Sequence, residues 1–243
     1  MIALWKKELL TFFSSLTGSL VIIVFLVMNG LFLWIIPGNL NILFGGYANL
    51  DGLFYLAPWL YLFLVPAVTM RLFADEKKSG TIELLLTRPL SDWEVVMGKF
   101  LAGFTLVILS LLPTLIYFYS VIQLAQPVGN VDTGAIWGSY IGLVLLAGAY
   151  VSIGVFSSVI TENQIVAFVL AAVVAFIFYS GFEALASVPF FSNVDHFLVN
   201  LGIDSHYRSV SRGVVDVRDV VYFIGLIAAF LGLTKLLLSS RKW

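Results

Sequence analysis

Long apolar runs separated by short polar breaks set the pattern of this chain. Six runs are predominantly apolar: Thr17–Ile36, Leu53–Phe73, Met97–Leu124, Ala135–Ile160, Gln164–Leu185 and Val220–Leu238. Each has the length that a helix needs to cross a bilayer's hydrocarbon, about 20 residues. They predict an all-α integral membrane protein with six transmembrane helices. The first run is too long for the apolar region of a cleaved signal peptide, and no small-residue cleavage site follows it in "LWIIPGNLNILF".

The residues before that run follow a different pattern. In "MIALWKKELLTFFSSL" Trp5, Leu9, Phe12, Phe13 and Leu16 recur at helical spacing, with Lys6, Lys7 and Glu8 on another side. This predicts an amphipathic helix lying at the membrane interface; the alternative is an extension of the first span. Pro113 falls inside the third run and predicts a kink there. Gly134, Gly138 and Gly142 repeat the GxxxG spacing at the start of the fourth run, with Gly148 and Ser152 beyond. Small residues on one face admit a close helix, either within the bundle, the commoner case, or at a subunit interface. The stretch from Ser187 to Asp219 is apolar in part but too interrupted to span, which predicts short helices at the outer interface.

Composition and charge sharpen this picture. Of 243 residues, 60% are hydrophobic and only 11% charged, against about 25% in soluble domains. The net charge of −1 gives no field for nucleic acid. With no cysteine, thiol nucleophiles and cysteine-held clusters are excluded. If the N-terminus is cytoplasmic, Lys6, Lys7, Arg71, Lys77, Lys78, Arg88, Lys99, Lys235, Arg241 and Lys242 fall inside or at inner helix ends. Only Arg208, Arg212 and Arg218 fall outside. The bias toward inner positive charge predicts that both termini are cytoplasmic. Asp195, His196, Asp204 and His206 lie in the outer stretch, but without a metal-ligand spacing they read as loop residues, and no metal site is predicted.

The richest break lies between the second and third runs, "RLFADEKKSGTIELLLTRPLSDWEVVMGKF". Ser79 and Gly80 end one helix, and a second is expected over residues 80–88. Glu83 suits its first turn, Ile82, Leu85 and Leu86 form an apolar face, Arg88 suits its C-terminal end, and Pro89 stops it. Ser91 and Glu94 have the spacing of a capping box for the next helix, with Leu90 and Val95 as its staple. The short helix would rest its apolar face on lipid or fill a groove of a soluble partner. Spacing alone leaves both readings open.

The same segment resembles the cytoplasmic loop of ABC-2 type transporter permeases, at Glu76, Gly80, Thr81, Glu83, Leu84, Leu85, Pro89, Gly98 and Lys99. The six-span layout, the interfacial helix and the long outer stretch agree with it. The ending "GVVDVRDVVYFIGLIAAFLGLTKLLL" is similar to that of the gliding-motility permeases and their relatives. The resemblance implies a bacterial cytoplasmic-membrane permease whose coupling helix seats in a separate ABC ATPase subunit. Ile82, Leu84, Leu85 and Leu86 would supply contact area, with Glu76, Glu83 and Arg88 setting orientation. ATP and Mg would sit on that subunit. A second permease subunit, identical or not, would complete the transporter, and this chain would bind no cofactor.

Other functions fit less well. Gly98-Lys99 is followed by Phe100 and is not a P-loop, so the chain is not read as an ATPase. An ion-coupled secondary transporter would need intramembrane ionisable groups, for which Glu183 is the one clear candidate. A membrane enzyme lacks a nucleophile–base pair at membrane depth. A non-transporting scaffold remains an alternative, and the substrate is not legible.

Overall fold

The computed structural model describes residues 1–82, 90–191, 193–213 and 215–240. Every regular element among them is helical. Six helices are long and apolar enough to cross a membrane: Gly18–Ile35, Asp51–Lys78, Asp92–Leu124, Thr133–Ile160, Gln164–Ala186 and Val217–Ser239, referred to as spans 1 to 6. The N-terminus, the turn between spans 4 and 5 and the end of span 6 share the proximal end of the bundle. The loops of residues 36–50, 125–132 and 187–216 share the distal end.

Span 4 is the centre. Its apolar window is 78% buried, against 22% for spans 5 and 6, and it packs on spans 2, 3, 5 and 6. Its small residues explain why it can do so. A methyl on Gly138 would come within 2.7 Å of the Val210 carbonyl oxygen, and one on Gly142 within 3.3 Å of the Tyr207 ring. Both contacts belong to a short distal helix of this same chain, so the close approach allowed at Gly138 and Gly142 is occupied within the chain. Gly134 lies beside Gly213, which has φ +88° and rests on the Gly134–Ala135 backbone. Only a residue without a side chain fits both that space and that φ.

Helix α1 (Ile2–Ser14) is separate from α2 (Leu16–Gly30) of span 1, since Ser15 is extended, with φ −97° and ψ 147°. Its inward face differs from the expected one. Leu4, Glu8 and Phe12 are buried, whereas Phe13 and Leu16 are exposed. Glu8, placed by amphipathicity on the polar side, points into the protein because a buried cation waits there.

Span 2 is two helices, α3 (Asp51–Thr69) and α4 (Arg71–Lys78). The hydroxyl of Ser158, from span 4, accepts the Phe73 and Ala74 N–H groups at 2.9 and 3.1 Å and donates to the Met70 carbonyl at 3.0 Å. A side chain inserted in this way into the backbone ladder is a recognised cause of a helix joint. Beside the joint, Gly154 leaves no room for a methyl against Thr69. In span 3 the predicted kink is a 3₁₀ turn at Leu112–Thr114. In span 5 a π turn at Ile177–Gly181 turns Tyr179 into the bundle.

The distal stretch before span 6 is partly helical, as expected, with helices at Asp195–Leu201 and Ile203–Val210. His206 Nδ1 lies 2.6 Å from Asp219 at the start of span 6, and its ring stacks on Tyr222 at 3.9 Å. Asp204 pairs with Arg208 at 2.7 Å. The His206 contacts join the second of these helices to span 6, whereas the Asp204–Arg208 pair lies within it.

Candidate coupling site

At the proximal end three elements meet on one lysine. Lys99 lies two turns into span 3, and its ammonium is fully buried. It sits 2.8 Å from Glu76 on α4 and 3.3 Å from Glu8 on α1. It also donates to the Leu72 carbonyl and lies 4.9 Å from the centre of the Phe73 ring. Lys7 closes the cluster from outside, 3.1 Å from Glu76 and 3.3 Å from Glu8. Two ammonium groups therefore face two carboxylates, and the group is neutral as a whole. A buried charge tolerates burial only when paired in this way. Burial by itself would lower the Lys7 pKa. The carboxylates of Glu8 and Glu76 outweigh it and hold that ammonium above the ordinary lysine value of 10.5.

The surrounding sequence is shaped to bring these groups together. Gly98 lets α1 close on span 3, since a methyl there would lie 3.1 Å from the Leu4 side chain. Trp5 donates to the Thr105 hydroxyl at 3.1 Å, fixing the helix about two turns further along span 3. Helix α4 ends just before Gly80, which takes φ +69°, with the Ser79 hydroxyl donating to the Asp75 carbonyl at 2.8 Å. Span 3 starts at the expected capping box: the Glu94 N–H donates to Ser91 Oγ at 3.3 Å, and the Ser91 N–H donates to the Glu94 carboxylate at 3.0 Å. The far side of α4 is tied to the turn after span 4, because Lys77 donates to the Val159 carbonyl and Gln164 to the Asp75 carboxylate.

Of the residues expected in the coupling segment, Glu76 is in the cluster. Gly80 ends α4, and Thr81 lies 2.8 Å from the Ser79 hydroxyl. Ile82 is only 7% exposed and packs into the chain's own core, which leaves little of it for a partner. Glu83, Leu84, Leu85, Leu86, Arg88 and Pro89 lie outside the described residues. Lys99, noted in the sequence as a position of the family's pattern, was not foreseen as the centre of a buried cluster, and Glu8 was placed on the polar side of its helix. A lysine inside an apolar run was a visible signal for the first. For Glu8 there was none, since an acid beside two lysines reads as solvated surface.

Glu183, the candidate for ion coupling, is at the distal end of span 5, with its side chain half exposed and 3.9 Å from Arg208. It lines a cavity of about 410 Å³ there with Asp51, Tyr55, Trp59, Asp204 and Arg208.

The arrangement does no bond-making chemistry. It ties the interfacial helix, the proximal piece of span 2 and span 3 into one body. The chain leaves that body after Gly80 and rejoins it at Ser91. No curated protein matches the chain significantly. The family model described as ABC-2 family transporter protein matches residues 3–243. That span takes in both the clamp and all six membrane-crossing helices, and the chain belongs to the ABC-2 family of transporter proteins, as a multi-pass permease subunit of an ABC exporter.

Proposed function

We propose that the connection between spans 2 and 3, with the expected coupling helix over residues 80–88, is the loop through which a separate ABC ATPase subunit drives this permease. The observation that carries the reading is the Lys99 clamp. A loop rooted at both ends in one charge-locked body transmits force instead of absorbing it. Movement of the loop would swing α4 about the Ser158 joint, where span 2 is already divided, and draw α1 and span 3 with it. Leu84, Leu85 and Leu86 would supply the contact area, with Glu83 and Arg88 setting its orientation; Ile82 would anchor the loop from inside. ATP and Mg would be held by the partner, and a second permease subunit would complete the pathway.

In this reading the proximal end faces the cytoplasm of a bacterium, which the excess of lysine and arginine at that end supports. The compact chain and its ending from Gly213 to Leu238 support a place in a gliding-motility or secretion-related export system.

The test is purification of the tagged permease from its native membrane, with the co-purifying subunits identified and ATP hydrolysis measured. An ATPase subunit is expected with the wild type and absent when Leu84 and Leu85 are both replaced by Asp. Glu83→Lys is expected to keep the subunit but separate hydrolysis from transport. Isolation of the permease alone, stable and without nucleotide-dependent activity, would overturn the proposal.

A further inference from the structure

The distal cavity lies at the end of the bundle opposite the coupling loop, and the proposed function makes no use of it. Its charges are unbalanced. Asp51, Glu183 and Asp204 face it with Arg208 as their one cation, a formal charge of −2 among its lining residues. Arg208 is committed to Asp204 at 2.7 Å and lies 3.9 Å from Glu183, whose carboxyl also meets that of Asp204.

The deeper wall is aromatic. Trp59 and Tyr179 meet edge to face with centres 5.4 Å apart, and Tyr55 stands exposed beside them. Behind them Tyr150 is fully buried, and its hydroxyl has no hydrogen-bond partner among the described residues. Its ring meets that of Tyr179 edge to face at 6.3 Å, and Tyr179 lines the cavity with Asp204 and Tyr207.

The vertical order of these groups matters. Asp51 opens span 2 and Glu183 lies in the last turn of span 5, so the carboxylates mark the membrane boundary. Trp59 is two turns deeper, about 12 Å at 1.5 Å per residue. Acids at the mouth and aromatic rings below fit a molecule with a cationic head and an apolar body. Aromatic rings attract organic cations, the more so where water is displaced, and the carboxylates supply charge-assisted hydrogen bonds.

We infer that this cavity is a binding site for an amphiphilic ammonium compound, its head between Glu183 and Asp204 and its body against Trp59 and Tyr179. The head could belong to a free alkylamine or to an aminophospholipid of the membrane; the recognised chemistry is the same. The Arg208 guanidinium, 2.7 Å from Asp204, competes for part of the place that the ligand's ammonium takes.

The test uses the purified full chain in nonionic maltoside micelles, with dodecylamine as probe and dodecanol as its uncharged counterpart. Binding is read from tryptophan fluorescence, with Trp59→Phe locating the signal. Dodecylamine is expected to bind at least about tenfold more tightly than dodecanol, the scale of one charge-assisted contact. Glu183→Gln, at a half-exposed side chain where folding is not at stake, should weaken the amine and leave dodecanol unchanged. Arg208→Ala should tighten the amine by removing its competitor. Competition by added phosphatidylethanolamine, and not by phosphatidylglycerol, assigns the site to lipid; its absence assigns the site to free amines. Equal binding of amine and alcohol, or weaker amine binding by Arg208→Ala, would overturn the inference. Because no ATPase takes part, that failure would leave the coupling reading untouched.

Discussion

The two ends of this bundle hold similar numbers of charged groups and use them in opposite ways. At the proximal end two lysines meet two glutamates, the charges cancel, and Lys99 is sealed from solvent. At the distal end three acids share one arginine around an open cavity. The first arrangement is complete: every charge has its partner, and removing any member leaves another stranded. The second is incomplete, with a half-exposed glutamate whose nearest cation is at 3.9 Å. A balanced, dry cluster makes a rigid joint; an unbalanced, wet one leaves room for a ligand.

The contrast is broken most severely at Lys99. Lys99→Met strands two carboxylates beside one peripheral ammonium and should destabilise the protein by about 3–5 kcal/mol, the usual cost of breaking a buried pair. Retention in membranes and the midpoint of unfolding in denaturing detergent measure it. The double variant Lys99→Met with Glu76→Gln leaves Glu8 paired with Lys7 and should recover most of the loss. If the single variant is as stable as the wild type, the clamp is not a clamp.

Ser158→Ala tests the joint instead of the lock. It strips the Phe73 and Ala74 N–H groups of their acceptor, an expected loss of about 1–3 kcal/mol. Amide exchange should rise over residues 71–78 more than elsewhere in span 2. Uniform exchange along the span would mean that Met70 is no joint at all.

At the distal end the corresponding change should be small. Glu183→Gln removes an exposed, long ion pair and should shift stability by no more than about 0.5 kcal/mol, measured by the same unfolding assay. A loss as large as that at Lys99 would erase the distinction between the two ends.

The smallest effect is one of pH. Burial disfavours the charged form of Lys7, but Glu8 and Glu76 hold its pKa above 10.5 in the folded protein. A raised lysine pKa contributes stability that is complete below the unfolded value and fades as pH climbs through the folded one. The unfolding midpoint of Lys7→Met relative to wild type should therefore stay constant across neutral pH and narrow only above about pH 10.5. A difference that closes near neutrality would show that the carboxylates do not hold the proton on Lys7.

Much of this architecture was open to reading along the chain. Hydropathy located the spans because crossing a bilayer demands a length and an apolar composition that local sequence alone supplies. The capping box at Ser91 and Glu94, the stop at Gly80 and the bend at Pro113 were equally visible, since each is a bargain among near neighbours in sequence. Glu8 was not, because its partner Lys99 lies 91 residues away. Ser158 was not either: a serine in an apolar helix carries no sign that its hydroxyl will enter another helix's backbone.

By itself, then, the sequence determined that the chain crosses the membrane in six helices, where the third of them is capped and bends, and which segment carries the family's motif. These follow from short-range chemistry and from the bilayer as solvent. Only the tertiary structure decided that Lys99 joins three elements, that Gly138 and Gly142 of span 4 are spent on the chain's own distal helix, and that acids from spans 2 and 5 and the distal helix surround one cavity. Those outcomes depend on which helix faces register across the bundle, and periodicity along one helix does not specify what stands opposite it.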